Sequence, residues 1–540
     1  MKKNLRFLFL LMFCLFIFAC HNEPFDERRT SRVRFSSVPE GFVYQGAEVY
    51  LGDVKLPLYQ VKVNTSQVWT AKDYQRIDNG VAYFELDGKV NVKVKVPYEI
   101  NYKSQLRPLS AGIIPVANIS ERTLTFEISS SGEYVLEINS DLRQAIHFFV
   151  SDYSEELVKP EVNTSIMYFG PGLHTKENNP WIDENNQIRL MSGSTVYLDD
   201  GAVIRAKFYA SNAENIKIYG RGIIDGSSFE RDASNGKATI PIDFNHCRNV
   251  TLADFSILDP AGWAINFYFM KNCKIEDLKI ITSRSNGDGI SLQSCQEIIV
   301  DGCFVRTWDD SLVVKNYPRW ENRTIQGETR NIIFKDCTLW TDLAQSMEIG
   351  YETVGKVMDN IVFENITVLH ALHKPVISIH NGNNAEIERV RFENITVEDA
   401  SMGLGDSHGN DELIDIRVLY SENWSSQHTI TSLGSIKDVL VKNVHILSGI
   451  KNPKIRVTGA FDNRETYLSK HYVSDINIFN LTYRNQIIDE SNANLLRGNY
   501  VKNLLVSHDG SILGASFIFS KTEAELSLYN DQLNIYGFEE

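Results

Sequence analysis

Cysteine is scarce in this chain and forms no pattern. Seven are spread over 540 residues, two of them, Cys14 and Cys20, within the first twenty. The other five, Cys247, Cys273, Cys295, Cys303 and Cys337, contain no CxxC pair and have no histidine at zinc spacing. This argues against a zinc module, and the odd count argues against a complete disulfide framework. Positive charge is also short: 54 Lys and Arg face 69 Asp and Glu, a net charge of −15. Such a surface repels polyanions, which argues against a nucleic-acid partner and weakly against acidic polysaccharides, although a local basic pocket would override the average. Past the N-terminus no apolar run is long enough to cross a bilayer. In the repetitive part of the chain the 3.6-residue period of helical repeats and the Leu ladder of leucine-rich repeats are both missing.

Hydrophobic residues make up 43% and charged residues 23% of the sequence, a globular balance. A chain of 540 residues exceeds one ordinary core, so two domains or an extended repeat are expected. At the start, Lys2, Lys3 and Arg6 precede the apolar stretch Leu8 to Ala19, which has signal-peptide form. Its end, Ile17-Phe18-Ala19-Cys20, resembles the bacterial lipobox, in which cleavage before the Cys is followed by its lipidation. Residues 1–19 are therefore expected as a lipoprotein signal and residues 20–30 as a polar tether. The implied location is the bacterial cell envelope, with membrane attachment through lipid on Cys20 alone.

Residues 31–160 alternate in period two. Val90, Val92, Val94 and Val96 interleave with Asn91, Lys93 and Lys95, and the runs Leu124-Phe126-Ile128 and Tyr134-Leu136-Ile138 repeat the pattern. One buried face per strand predicts a small antiparallel β-sandwich. Residues 165–520 read differently. A unit of Asn or Asp, alternating aliphatics, Asn or Asp, then an apolar residue recurs as Asn249-Val250-Thr251-Leu252-Ala253-Asp254-Phe255 and as Asn360-Ile361-Val362-Phe363-Glu364-Asn365-Ile366. Aligned on the last apolar position, copies fall at 255, 278, 303, 337, 366 and 395. Short strands at such a period predict an all-β solenoid, a parallel β-helix, with the Asn and Asp positions stacked as a turn ladder. Cys303 and Cys337 take the slot of Phe255, Leu278 and Ile366, so they read as interior packing.

Two acidic motifs carry the chemistry, Asn286-Gly287-Asp288-Gly289 and Trp308-Asp309-Asp310. The 21 residues from Asp288 to Asp309 are about one coil, which stacks the acids on neighbouring strands. Clustered carboxylates repel, so at least one should keep its proton near neutral pH and serve as an acid beside an ionised base, the pair that glycosidic cleavage needs. Asp-Gly and Asp-Asp are also ordinary turn residues, and stacked Asp can cap turns or hold calcium.

The order Gly220-x-Gly222-Ile223-Ile224-Asp225-Gly226, Asp259-Pro260-x-x-Trp263, Asn286-x-Asp288-Gly289-Ile290 and Asp309-Asp310 resembles the polygalacturonases of glycoside hydrolase family 28. The resemblance implies a right-handed parallel β-helix and an inverting hydrolase without cofactor or metal. In that scheme Asp309 is the general acid, and Asp288 and Asp310 hold and activate water. The family's Gly-His-Gly is replaced by the region Ala344 to Gly350, and its uronate-gripping Arg-Ile-Lys is absent where Val376 to Asn381 stands. That loss removes the reason to expect polygalacturonate. The sandwich, Tyr168-Phe169-Gly170-Pro171-Gly172 and Ser194-Thr195-Val196-Tyr197-Leu198 resemble instead the dextranase-type enzymes of family 49, which act on neutral α-glucans. The expected partner is a carbohydrate and the expected state a monomer. Asn286, Lys315, Gln345, Glu348, His380 and Asn381 are candidate cleft residues, with Trp263, Trp308 and Tyr351 as candidate sugar-stacking rings. A β-helix lyase using Lys315 as base and a non-catalytic glycan-binding lipoprotein are the rival readings.

Overall fold

The computed structural model describes residues 31–66, 75–154, 160, 166–232, 238–317, 327–402, 411–421, 425, 432–462 and 469–510. The signal, Cys20 and the tether lie outside these residues. Nearly every described element is a strand, and no helix among the described residues is long and apolar enough to cross a membrane.

The N-terminal unit is a sandwich of a six-stranded and a five-stranded sheet. In Val90–Lys95 the valines are buried while Asn91, Lys93 and Lys95 are exposed, as the alternation requires. The six-stranded sheet departs from the antiparallel expectation, because Ala145–Asp152 runs parallel to Ile77–Asp87. Gly132–Glu137 also shows no alternation at its end, where four successive residues are buried. The reason is a second core. Leu136, Ile146 and Phe148 face into the sandwich, while Val135, Ala145 and Phe149 pack with Val203, Ile281, Phe304 and Trp340 of the following unit. A sheet covered on both faces loses its period-two signature.

The second unit is a right-handed parallel β-helix. Its coils contribute to a 20-stranded sheet and to an 11-stranded sheet that is parallel throughout, running from Gln187–Leu190 to Asn494–Arg497. Two side-chain ladders mark the corners. In the first, Asn272 donates to Asn249 at 2.9 Å and Asn249 to Asn215 at 3.0 Å. In the second, Asn480 donates to Asn443, Asn443 to Asn394 and Asn394 to Asn365, at 2.9, 2.8 and 3.1 Å. Each of these residues holds a positive φ between 50° and 58°. Asn tolerates this left-handed bend and at the same time offers an amide that both donates and accepts along the stack. Inside, Phe334, Phe363 and Phe392 stack nearly parallel at 4.7 and 4.9 Å, the spacing of paired strands. Cys303 and Cys337 are buried and unpaired in the same interior, as are the other three described cysteines.

Asn394→Ala should lower the urea midpoint by the equivalent of about 1–2 kcal/mol, since it forces Ala into the left-handed bend and cuts two ladder bonds. Asn394→Gly should cost less, because Gly accepts the bend and loses only the bonds. Equal costs would mean that the backbone conformation contributes nothing.

Candidate active site

The 11-stranded sheet positions the acidic residues. Ile290 pairs with Leu312, and Leu312 with Met347. Just before these strands the backbone bonds Ala264 N–H to Asp288 C=O, Gly289 N–H to Asp310 C=O and Ser311 N–H to Gln345 C=O link successive coils. Asp288 therefore lies in register with Asp310, 22 residues on, and not with Asp309 as the 21-residue spacing suggested. Asp309 faces Gly287, whose carbonyl accepts the Asp309 N–H at 3.4 Å. Trp263, Asp288, Asp310 and Gln345 form one column on four consecutive coils.

Local chemistry holds the column. The Thr282 hydroxyl donates to the Gly287 carbonyl and accepts the Trp308 N–H, so one side chain ties the two acidic turns together. Behind Asp309 and Asp310, the hydroxyls of Thr307, Ser311, Thr341 and Ser346 form a chain with links of 2.7, 2.8 and 2.9 Å. Gln345 N–H donates to Asp310 Oδ1 at 3.0 Å. The coils approach so closely that a Cβ at Gly289 would meet the Ser311 carbonyl oxygen and Val305 at 2.5 Å. None of Thr282, Thr307 or Thr341 stood out in the sequence, because Ser and Thr are too common there to signal a role.

Burial sets the electrostatics. Asp288 is 2%, Asp309 7% and Asp310 9% exposed. Desolvation raises the pKa of all three carboxyls; the Asp309 charge raises Asp288 and Asp310 further, while Lys315 opposes the rise. Asp309 is raised less than its two neighbours, since Lys315, the Asp310 backbone N–H and Arg231 favour its charge. Groups this close titrate as one set, so the retained proton belongs to the cluster. Lys315 Nζ stands 3.8 Å from Asp288 and 3.6 Å from Glu352, with the Trp263 ring 5.4 Å away. Burial disfavours its ammonium, but Glu352 and the three Asp carboxyls outweigh that and raise its pKa. Glu352 is the acidic neighbour the sequence reading missed. It reaches Lys315 because the register shifts between Val314 and Asn316, leaving extra residues on the facing strand, and such a bulge has no periodic signature.

The other candidates fall into three groups. Gln345 and Trp263 belong to the column, and Asn286 is exposed beside it, accepting from Arg231. Glu348 and His380 form a separate buried cluster on the next coils. His380 Nδ1 bonds Glu348 at 2.9 Å and Nε2 bonds Asp415 at 3.0 Å, and Tyr351 stacks on the imidazole at 4.3 Å. Burial would depress the His380 pKa, but the two carboxylates raise it to about 9. Tyr351 is thus committed to His380 on one face. The third group is corrected. Trp308 is 1% exposed, with its indole N–H on the Ser66 carbonyl at 2.9 Å, so its ring packs instead of stacking on sugar. Asn381 is fully buried; its amide donates to the Ala385 and Ser435 carbonyls and its oxygen accepts from Thr353, which leaves it structural. Among the described residues no three His, Cys, Asp or Glu side chains are arranged to hold a metal ion.

The comparisons with known proteins agree with this architecture. The model of glycosyl hydrolases family 28 matches residues 182–478. A polygalacturonase of Gossypium barbadense is 24% identical over 207 residues, 36% of this chain and 48% of its own length. A probable polygalacturonase of Vitis vinifera is 24% identical over 162 residues, covering 28% of this chain and 33% of its own. This chain thus spans about half or less of the curated relatives it matches. Among solved structures, Dex49A from Penicillium minioluteum superposes with a TM-score of 0.56 at 15% identity, over 89% of this chain and 96% of that one. That likeness extends to the all-β fold.

A carboxyl with a raised folded pKa destabilises the fold once pH exceeds its ordinary 3.8, because the unfolded chain carries the charge more easily. Stability from this cluster therefore falls as pH rises from about 4 through the raised values. Asp310→Asn keeps an oxygen for the Gln345 N–H and removes one charge. It should raise the melting temperature by several degrees at pH 8 and leave it unchanged at pH 4, as scanning calorimetry would register.

Proposed function

Because this chain belongs to the glycosyl hydrolases of family 28, we propose that it hydrolyses α-linked bonds of an uncharged polysaccharide or oligosaccharide by an inverting acid/base mechanism centred on Asp288, Asp309 and Asp310. The observation that carries this is the register of Asp288 over Asp310 with Asp309 beside them, in a cluster whose shared burial keeps a proton available. In the roles that the family resemblance implies, the proton shared by the cluster resides on Asp309 when substrate is bound, so Asp309 protonates the leaving oxygen while ionised Asp288 and Asp310 orient and deprotonate a water on the other side of the bond. In the free site the charge is favoured on Asp309 instead, so substrate binding has to redistribute that proton. Lys315 keeps the cluster from expelling its charge altogether and orients Asp288. Trp263, in column with Asp288, is buried with its ring beneath the Lys315 ammonium, so it walls the site next to Asp288.

The local charge supports a neutral substrate. Around the three Asp, Glu352 adds a fourth carboxyl, and Lys315 already lies against two of the four, Asp288 and Glu352. On the next coils His380 lies against Glu348 and Asp415, and Arg417 against Asp415. A uronate would add negative charge to a site where, among the described residues, the buried carboxyls outnumber the cations beside them, Lys315 and Arg231. An α-glucan, as in the dextranase-like reading, meets no such penalty. A lyase mechanism is disfavoured because Lys315 is held as an ammonium and is a poor base. A pure binding role leaves the buried repulsion of three carboxyls without a purpose. We further propose that lipid on Cys20 attaches the chain to the cell envelope; mass spectrometry of the membrane fraction should detect the acylated N-terminal peptide.

Incubation with dextran, other neutral α-glucans and pectin should release sugars from a neutral glucan and not from pectin. Asp288→Asn, Asp309→Asn and Asp310→Asn should each lower kcat by roughly 10²–10⁴. Proton NMR of the first product formed should show the inverted anomer. Cleavage of pectin, or full activity in any of the three variants, would refute the proposal.

A further inference from the structure

The N-terminal sandwich touches the segment that leads into the Asp288 turn and, directly, the turn that carries Trp308 and Asp309. Arg76, immediately before strand Ile77–Asp87, sends its guanidinium to Asp259 at 2.7 Å and to the Ser283 hydroxyl at 3.3 Å. Asp259, 3% exposed, also lies 3.2 Å from Arg284 and accepts from Ser283 at 3.1 Å. Arg284 in turn donates to the Ser227 carbonyl at 2.9 Å and to that of Phe229. Residues 283 and 284 lead directly into Asn286 and Asp288. The second contact is the Ser66 carbonyl on the Trp308 indole, next to Asp309.

Burying an Arg–Asp–Arg group gains little stability over apolar packing, since desolvation offsets the attraction. What such a group does supply is a fixed geometry. The turn it fixes is the one whose Gly287 carbonyl meets Asp309 and the Thr282 hydroxyl. We propose that the N-terminal domain completes the active site, with Arg76 as a positioning residue that acts through Asp259 and Ser283 to hold the Asp288 turn against the Asp309 turn. This rests on the hydrolase reading given above. Small misplacements of catalytic groups, on the order of 1 Å, cost about a hundredfold in rate with little effect on binding.

The test uses the full chain and the glycan that the wild type cleaves. Arg76→Met should lower kcat by roughly tenfold to a hundredfold with KM within about threefold of wild type. Arg76→Lys, which keeps the charge and one donor, should recover part of the loss, and it serves alone if the Met variant does not fold. Tyr83→Phe removes a different interdomain bond, that to Ser256 at 2.8 Å, and should leave kcat unchanged. Hydrogen exchange gives a readout that needs no substrate: Arg76→Met should speed exchange in the peptide covering 282–289, and Tyr83→Phe should not. If Asp309→Asn abolishes turnover while Arg76→Met keeps kcat within about twofold, or if protection of 282–289 is unchanged, the positioning role is overturned and the hydrolase reading stands. If Asp309→Asn keeps its activity, the hydrolase reading itself falls.

Discussion

The hydrogen bonds that join one coil to the next are the constraint on which this molecule depends. A parallel solenoid has no short hairpins to fix its register, so the corners must do so. Here the corners are Asn and Asp residues with positive φ, stacked amide on amide from coil to coil. A slip of one residue would place Asn365 in the interior slot of Ile366 and Glu364 in the bend. With the corners fixed, the Phe334–Phe363–Phe392 stack and the column Trp263–Asp288–Asp310–Gln345 follow from the same pairing.

That pairing also creates an electrostatic problem. Stacking puts buried carboxyls on adjacent strands, where each would be better solvated alone. The fold meets this in two ways. Near the acids, Lys315 sits between Asp288 and Glu352 and tempers a repulsion that it does not remove. Farther along the sheet, His380 between Glu348 and Asp415, together with Arg417 at 2.7 Å from Asp415, balances a second pair of buried carboxylates. The first cluster is pushed toward protonation while in the second the Asp415 carboxyl, despite its burial, is held below its ordinary range by His380 and Arg417, and the difference separates a reactive set of acids from a structural one.

Much of this was legible in the sequence. The repeat, the turn ladder and the interior slot of Cys303 and Cys337 follow from side-chain type at a fixed spacing, which a solenoid converts directly into position. Asp288, Asp309 and Asp310 were brought together by the same argument, with the pairing off by one residue because loop length between strands is invisible to a repeat count. Other features had no local signal. Glu352 arrives through a bulge, Arg76 comes from another domain, and Thr282 acts through a hydroxyl that any strand might carry. Trp308 and Asn381 were misjudged for a related reason: an aromatic ring or amide beside the acids reads as a sugar contact, whereas Ser66 and the Ala385 and Ser435 carbonyls claim them. The parallel pairing within the sandwich was hidden because its sheet is buried on both faces.

The most direct measurement is a carbon-13 NMR titration of the Asp side-chain carboxyls, with Asn variants at 288, 309 and 310 supplying the assignments. Linked titrations, with at least one carboxyl losing its proton well above the ordinary value of about 4 and moving down when either neighbour becomes Asn, are what this account predicts. Three independent titrations near 4, each indifferent to loss of the others, would contradict it.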